Sequence, residues 1–437
     1  MTAANVHDSL KRHLLVDGMP MVLDTRESRG AYLVDETTGK KHIDFFTFYA
    51  SNPLGMNHPR LADDGEFHGR LLDAAINKVA NPDVYTVHKA RFVDTFSRVG
   101  IPAHLPYTFF ISGGALAVEN ALKVAFDWKA RKNMLKGLDG ERNLQAMHLR
   151  QAFHGRSGYT LSITNTEPMK VAYFPKFDWP RILNPKCNKP STPENLAEVE
   201  KAEEESLAQA KQYFAERPDD IACVIAEPIQ GEGGDNHFRP EYLQRLKDLA
   251  HENDALLVFD EVQTGVGLTG SFWAHQQLGV TPDVMAFGKK TQVCGVLAGG
   301  RLDEIDDHVF KVSSRISSTW GGHLADMVRF ERILEVIEEE NLVQHAADTG
   351  VYLLEQIRGL AENLPIVANP RGRGLFCAFD LPSREVRDRV TGKCYDRGLA
   401  ILGCGPESIR FRPPLTITRE VLDEGLAILT QALEEEA

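Results

Sequence analysis

The middle of the chain alternates between short apolar runs and amphipathic stretches. The runs IACVIAEPI, ALLVFDEV and DVMAFGKK are separated by the helix-like PEYLQRLKDLAHEN and by the polar segment GLTGSFWAHQQLGV. Continuous apolar runs of this length are typical of strands that are buried on both faces of a parallel sheet. Because these strands alternate with crossover segments, the pattern predicts an α/β fold with a mostly parallel central sheet.

The pattern changes at about Met327, where apolar residues recur near helical spacing as far as Leu360 and predict a long amphipathic helix. Short strand-like runs, GLFCAFDL and SIRFRPPL, and a closing helix, REVLDEGLAILTQALEEE, follow it. The N-terminal segment GAYLVDETTGKKHIDF also has strand character. We therefore expect a large domain over residues 61–326 and a small α+β domain formed by residues 1–60 and 327–437.

Composition narrows the class of protein. The chain has 437 residues, 43% of them hydrophobic and 25% charged, and a formal net charge of −13, which argues against nucleic acid or an anionic membrane as the main partner. The start, MTAANVHDSLKRHLL, lacks a secretory leader pattern, and no apolar run could span a bilayer. Six cysteines without C-x-x-C pairs and histidines without ligand spacing predict free thiols, no structural metal and a cytoplasmic location.

Two charged residues follow neighbouring strands of the predicted sheet. Asp260 ends the run LLVF, and Lys289 follows the next apolar run and a glycine. Alone, Asp260 could cap the next element and Lys289 could be a solvated surface residue. Together they would emerge at one sheet edge, where open α/β sheets hold their ligands. An amine and a carboxylate there suit a pyridoxal phosphate (PLP) enzyme, in which Lys forms the Schiff base and Asp pairs with the pyridinium nitrogen.

The segment ISGGALAVENALKVAFDWK predicts a phosphate cradle. Gly113, Gly114 and Ala115 precede a helix with one apolar face, so free N–H groups and the positive end of the helix dipole would face an anion. Small residues let a phosphate approach the backbone. An ordinary glycine turn explains the same residues, but a dinucleotide site fits less well because the glycines do not follow G-x-G-x-x-G.

Six motifs carry a resemblance to a known family. They are SNPLGMNHP, AFHGRSGYT, AEPIQGEGG, VFDEVQTGVGLTG, FGKK and IRFRPPL, in that order. Over nearly its whole length the chain resembles the class III (subgroup II) PLP-dependent aminotransferases of fold type I. The segments FPKFDWPRI, GGALAVENALK, FGKKTQVCGVLAGG and STWGGHLADMVR are most similar to the branch of this family that acts on the ε-amino group of L-lysine.

The resemblance implies roles around the cofactor, PLP. Lys289 would be the Schiff-base lysine and Lys290 its bystander. Asp260 would pair with the pyridine nitrogen, Gln263 would contact the phenolic oxygen of the ring, and Phe153 would stack on the cofactor face.

The resemblance also implies how the phosphate is held. Gly114 and Ala115 align with the phosphate-binding pair, although Ala115 replaces the usual Ser or Thr and lacks its hydroxyl. Thr319 would complete the phosphate site from the neighbouring subunit, which makes a homodimer part of the active site.

Three further residues would select the substrates. Arg410 matches the arginine that grips the α-carboxylate of glutamate and 2-oxoglutarate, and Glu232 matches the glutamate that forms a removable ion pair with it. Arg156 would hold the distal α-carboxylate of L-lysine. Arg412, two positions beyond Arg410, is expected to be a solvated neighbour.

The implied reaction is transfer of the ε-amino group of L-lysine to 2-oxoglutarate, giving 2-aminoadipate 6-semialdehyde, which cyclises, and L-glutamate. Another ω-aminotransferase, acting on ornithine, 4-aminobutyrate or a diamine, is the nearest alternative. A sensor that binds PLP or an amino acid without catalysis is a rival from another class, and a nicotinamide dehydrogenase fits least because the chain lacks its glycine fingerprint.

Overall fold

The structure, a computed structural model, describes residues 1–437. Sixteen strands, β1 to β16, lie at Tyr32–Val34, Lys41–Asp44, Tyr107–Ile111, Gln145–Leu149, Arg181–Ile182, Ile221–Ala226, Ile229–Gln230, Asn236–His237, Leu256–Asp260, Val284–Phe287, Cys294–Ala298, Ala368–Arg373, Phe376–Asp380, Leu399–Ala400, Leu402–Cys404 and Ser408–Phe411. Fifteen helical segments, α1 to α15, lie at Val6–Lys11, Thr47–Ala50, Pro59–Ala62, Gly65–Ile76, Val87–Val99, Gly114–Leu135, Gly158–Ile163, Pro168–Val171, Pro193–Glu216, Pro240–Glu252, Ala274–Leu278, Leu324–Glu339, Leu342–Asn363, Arg384–Asp396 and Arg419–Glu434.

A seven-stranded sheet forms the centre of the molecule, with strand order β3-β11-β10-β9-β6-β4-β5. The five strands from β10 to β5 run parallel, whereas β11 is antiparallel to both of its neighbours. In the parallel pair of β9 and β10, Asp260 lies beside Ala286. The predicted α/β fold with a mostly parallel sheet is confirmed.

Alternate residues of the central strands face two different helices, which explains why these strands are apolar throughout. Along β9, Leu256 and Val258 pack into the core that contains Leu122 of α6. Leu257 and Phe259 pack into the core that contains residues of α10. With helices on both faces, no position of the strand meets water, so the polar residue at its end, Asp260, lies at the sheet edge.

The two ends of the chain share a sheet. β14 pairs in parallel with β2, which brings Leu399 beside Ile43, and β1 completes this three-stranded sheet. The C-terminal part of the chain forms a four-stranded sheet of order β12-β13-β16-β15, and α15 is the last helix.

The prediction of one long helix after Met327 is wrong in one respect. Two helices, α12 and α13, occupy this stretch, and the chain turns between them at Asn341, which has a left-handed φ of 50°. Asn tolerates this conformation better than most residues, so the break is encoded locally. Apolar spacing did not reveal it because both helices bury residues at similar intervals.

The cysteines and the helices give two further findings. All six cysteines are free thiols, and all except Cys187 are buried. No helix is both long enough and apolar enough to cross a membrane.

Candidate active site

A cavity of 320 Å³ opens at the carboxyl ends of the parallel strands. It brings together eight of the ten residues that were predicted to form a site: Gly114, Ala115, Phe153, Arg156, Glu232, Asp260, Gln263 and Lys289. A larger groove of 940 Å³ lies between residues 187–191 and 367–373 and contains none of the ten. The smaller cavity is therefore the candidate active site.

Asp260 is held by a histidine at the bottom of this cavity. Its Oδ2 lies 2.8 Å from Nδ1 of His154, and its Oδ1 accepts the N–H of Val262 at 3.0 Å. Because a carboxylate only accepts hydrogen bonds, Nδ1 of His154 carries the proton. Both side chains are buried. The pair fixes one negative charge at a defined place. No role for His154 was predicted from the sequence.

Lys289 and Lys290 are adjacent in sequence but have different environments. Lys289 lines the cavity in a left-handed conformation, with a φ of 54° that follows Gly288. Lys290 is buried, and its Nζ donates to the carbonyls of Gln263 at 2.6 Å and Ala50 at 3.2 Å. Backbone strain of this kind is common at functional residues. Only Lys289 presents its amine to the cavity.

Burial, and then the charge of Arg410, lower the pKa of the Lys289 amine to about 8. Glu232 and Asp260 act in the opposite direction, but their effect is smaller. A lysine with this pKa is partly neutral near physiological pH, and a neutral amine is the nucleophilic form.

The start of α6 lines the cavity and has no side-chain cap. Gly113 precedes the helix with a φ of 110°, no side chain caps it, and the first helical bond runs from the N–H of Ala117 to the carbonyl of Gly113. A Cβ on Gly155 would lie 2.6 Å from Cβ of Ala115, so only glycine fits beside the cradle. The amides at the start of α6 are therefore free for an anion in the cavity.

Arg412 is a correction to the sequence analysis, which expected a solvated side chain. It is 2% exposed and lies 3.4 Å from the centroid of the Phe376 ring. Its guanidinium binds both carboxylate oxygens of Asp235 and donates to Oε1 of Gln263 at 2.9 and 3.1 Å. Because Oε1 of Gln263 accepts from Arg412, the Nε2 group of Gln263 remains as the donor for the cavity.

Arg410 lies behind Glu232 rather than on the cavity wall. Its Nη1 is 2.9 Å from Oε2 of Glu232, and its side chain is almost fully buried. Burial opposes ionisation of Glu232, yet the positive charges around it outweigh burial and lower its pKa. The predicted ion pair between Glu232 and Arg410 is thus present, with the carboxylate on the cavity side.

Arg156, which lines the cavity, and Thr319, which does not, differ in position. Arg156 is exposed at the cavity and makes no ion pair, so its guanidinium is available to a ligand. Thr319 is exposed and lies outside the cavity of its own chain.

Two more residues at the site had no assigned role in the sequence analysis. Glu227 accepts the N–H groups of Phe153 at 2.9 Å and Gly231 at 3.0 Å, so it joins the two loops beside the cavity. Burial raises the pKa of Glu227 to about 7. The signal for Glu227 was its position at a strand end, like that of Asp260.

Tyr49 belongs to a strained segment at the same site. Residues 47–50 all have left-handed φ values, and the carboxylate of Asp44 accepts the N–H groups of Phe46 and Thr47. The ring of Tyr49 lies 6.0 Å from Nζ of Lys289 and 5.6 Å from Cζ of Arg410. No periodicity in the sequence predicts a run of left-handed residues, since each one costs about 1–2 kcal/mol.

Comparison with known proteins identifies the class. The model of the aminotransferase class-III family matches residues 15–433, and the chain belongs to this family. The cofactor is PLP, and the free amides of α6, the Nε2 donor of Gln263 and the Lys289 amine fit that group.

Individual relatives are similar along the whole chain. The L-lysine-epsilon aminotransferase of Mycobacterium tuberculosis is 55% identical over 99% of this chain and 96% of its own length. That of Amycolatopsis lactamdurans is 54% identical over 99% of this chain and 96% of its own length. The solved structure of the M. tuberculosis lysine aminotransferase in its internal aldimine form superposes with a TM-score of 0.98, covering 100% of both chains at 55% identity.

Proposed function

We propose that the protein transfers the ε-amino group of L-lysine to 2-oxoglutarate, giving 2-aminoadipate 6-semialdehyde, which cyclises, and L-glutamate. The names of the relatives that are 53–55% identical over 99% of the chain support L-lysine as the amino donor. The observation that carries the proposal is the pairing state of two arginines. Arg156 is free at the cavity, whereas Arg410 is neutralised by Glu232.

This arrangement suits a substrate whose carboxylate lies far from the reacting amine. With Arg410 neutralised, the cavity offers no free cation beside the reacting carbon, so the α-end of an amino acid is not preferred there. Arg156 can then bind the distal carboxylate of L-lysine while the ε-amine reaches Lys289. A diamine without a carboxylate would gain nothing from Arg156.

The residues around the cavity would hold PLP in a single orientation. The amides of Gly114 and Ala115 would bind the phosphate, Phe153 would stack on the ring, and Nε2 of Gln263 would donate to the phenolic oxygen. Asp260, fixed by His154, would keep a proton on the pyridine nitrogen.

When bound, PLP supplies an electron sink that makes a proton on the substrate carbon beside the reacting nitrogen labile. Lys289 is the amine that would hold the cofactor, and its free amine would move that proton as a general base and acid. Its lowered pKa suits both tasks, because the amine can gain and lose a proton near neutral pH.

The second half-reaction uses the same cavity with a different charge pattern. The α-carboxylate of 2-oxoglutarate would compete with Glu232 for Arg410, whose planar guanidinium binds carboxylates in a bidentate way. Glu232 and Arg410 thus form a two-state element that is closed for L-lysine and open for 2-oxoglutarate.

We further propose that the enzyme is a homodimer in which Thr319 of the partner subunit completes the phosphate site. An interface between two copies is favoured by exposed apolar side chains in this region: Trp320 beside Thr319, Val87 at the start of α5 and Tyr85 in the loop before it.

Residues 61–326 would form the large domain, and residues 1–60 and 327–437 the small one. Free, mostly buried thiols favour a reducing compartment such as the cytoplasm.

The test is an assay of the holoenzyme with 2-oxoglutarate and L-lysine, L-ornithine, 4-aminobutyrate or cadaverine, which follows glutamate formation. We expect the highest kcat/KM for L-lysine. Arg156→Ala should raise the activation free energy that corresponds to kcat/KM for L-lysine by about 2–4 kcal/mol, because a charge-assisted contact is lost. The value of kcat/KM for cadaverine should be nearly unchanged. Equal losses for both amines would assign Arg156 to folding or to the cofactor instead.

A further inference from the structure

Glu232 contacts two cations, of which Arg410 is only one. Nζ of Lys170, on the short helix α8, donates to Oε1 of Glu232 at 2.6 Å. Nη1 of Arg410 lies 2.9 Å from the other oxygen, Oε2. Each oxygen of the carboxylate therefore has its own positive partner, and the two partners approach from different parts of the chain.

The two contacts differ in quality. Lys170 makes a short and well-directed hydrogen bond to Glu232, whereas Nη1 of Arg410 is close but poorly directed for one. The side chain of Arg410 is 3% exposed and that of Lys170 is 21% exposed. The contact with Arg410 is an ion pair in the interior, and the contact with Lys170 is a charge-assisted hydrogen bond nearer to solvent.

Lys170 is itself held in place from the outside. Its Nζ lies 3.7 Å from Glu167, and Glu167 pairs with Arg384 at 3.2 Å. Charges of alternating sign thus run from Arg410 through Glu232, Lys170 and Glu167 to Arg384 at the start of α14. Lys170 can therefore stay beside Glu232 even when Arg410 no longer pairs with Glu232.

Displacing Glu232 from Arg410 costs free energy, and Lys170 can reduce this cost. If a substrate carboxylate takes Arg410, the Glu232 carboxylate is left partly buried without that partner, and an uncompensated buried charge is strongly destabilising. Glu232 is ionised in the closed state, because the charges of Arg410 and Lys170 outweigh the effect of burial on its pKa. It needs a second cation in the open state.

We propose that Lys170 is a positioning residue that keeps Glu232 paired while the α-carboxylate of the amino acceptor occupies Arg410. This inference rests on the proposed function and adds a third member to its two-state element. Lys170 stabilises the open state more than the closed state, because Glu232 has two cationic partners when closed and only Lys170 when open. Lys170 thus favours the dicarboxylate half-reaction.

The test measures binding of glutarate, an unreactive dicarboxylate, to the holoenzyme by isothermal titration calorimetry. We expect Lys170→Gln to raise the Kd of glutarate about tenfold and Lys170→Arg to stay within about threefold of the wild type, because arginine keeps the charge. Lys186→Gln is the matched control, since Lys186 is exposed and makes no ion pair. In single turnovers, Lys170→Gln should slow the 2-oxoglutarate half-reaction by a larger factor than the L-lysine half-reaction.

A double-mutant cycle separates the proposed role from a direct contact with the ligand. In a Glu232→Ala background, Lys170→Gln should change the Kd of glutarate by less than about twofold, because no carboxylate remains to be held. The same tenfold loss in both backgrounds, or no loss in either, would overturn the role of Lys170. Wild-type holoenzyme that binds glutarate but does not turn over L-lysine would refute only the proposed amino donor, whereas failure to bind glutarate would refute both proposals.

Discussion

The two ends of the cavity hold charge in different ways. At the end formed by β9 and β10, Asp260 is buried against His154 at 2.8 Å, and no competing cation touches it. At the other end, Glu232 lies between Lys170 and Arg410, with a side chain that is 24% exposed. In the proposed reaction, the first end would fix a charge that both half-reactions need, and the second end would present a charge that one of them must displace.

Arg412 shows that the difference comes from partners rather than from residue type. Arg410 and Arg412 lie two positions apart, and both are buried. Arg412 binds Asp235, which is fully buried, and also binds Gln263, so it cannot be released without breaking several hydrogen bonds. Arg410 pairs with a carboxylate that lines the cavity. Of these two arginines, only Arg410 would therefore become accessible to a substrate carboxylate, once Glu232 is displaced.

The largest expected effect concerns the fixed end. Lys289→Ala should lower kcat by more than about 10³-fold, because it removes both the nucleophile and the group that moves the proton. Borohydride reduction of the wild-type holoenzyme, followed by peptide mapping, should place the cofactor on Lys289. Attachment at Lys290 would contradict the assignment, and its two carbonyl contacts make that outcome unexpected.

The second prediction separates Asp260 from the residue that orients it. Asp260→Asn should slow both half-reactions by similar factors, on the order of 10²–10³, since the fixed negative charge that would keep the pyridine nitrogen protonated is lost. His154→Gln should slow both by only about tenfold, as the loss of one hydrogen bond to a charged group would. Single-turnover rates for L-lysine and 2-oxoglutarate provide the measurement. A change confined to one substrate would show that this end of the cavity is not a fixed charge.

The third prediction concerns the displaceable end and has the opposite signature. Glu232→Ala should slow the L-lysine half-reaction and speed the glutamate half-reaction. The ratio of the two single-turnover rates should change about tenfold for each 1.4 kcal/mol of lost pairing. The same single-turnover experiments decide the matter. If both half-reactions slow by one common factor, Glu232 does not act as a switch.

The fixed end could be predicted from the sequence, and the physical reason lies in β9. Its apolar run has no polar face, so the strand had to be buried on both sides and Asp260 had to lie at the sheet edge. Lys289 follows the neighbouring parallel strand and shares that edge. Local pattern and sheet geometry were sufficient for these two residues.

The displaceable end could be predicted only in part. The family resemblance indicated Glu232 and Arg410, but Lys170 lies on the four-residue helix α8 and its contact with Glu232 spans 62 positions. Arg412 was misplaced for the same reason, since its partner Asp235 is 177 positions away. Long-range ion pairs leave no periodic signal, so sequence patterns do not reveal which charged residues become buried.

The smallest expected effect connects the two ends through the Lys289 amine. In protein freed of PLP, cyanate should label Lys289 with a midpoint near pH 8, because burial and the charge of Arg410 lower the pKa of its amine to about 8. Exposed lysines should show a labelling midpoint at about pH 10.4. Glu232 raises the pKa of Lys289, so Glu232→Ala should move the midpoint to lower pH, since loss of a negative charge disfavours the ammonium form. Labelling at a series of pH values, quantified by mass spectrometry of the Lys289 peptide, measures this shift. A midpoint that Glu232→Ala leaves unchanged would mean that the two ends of the cavity are electrostatically independent.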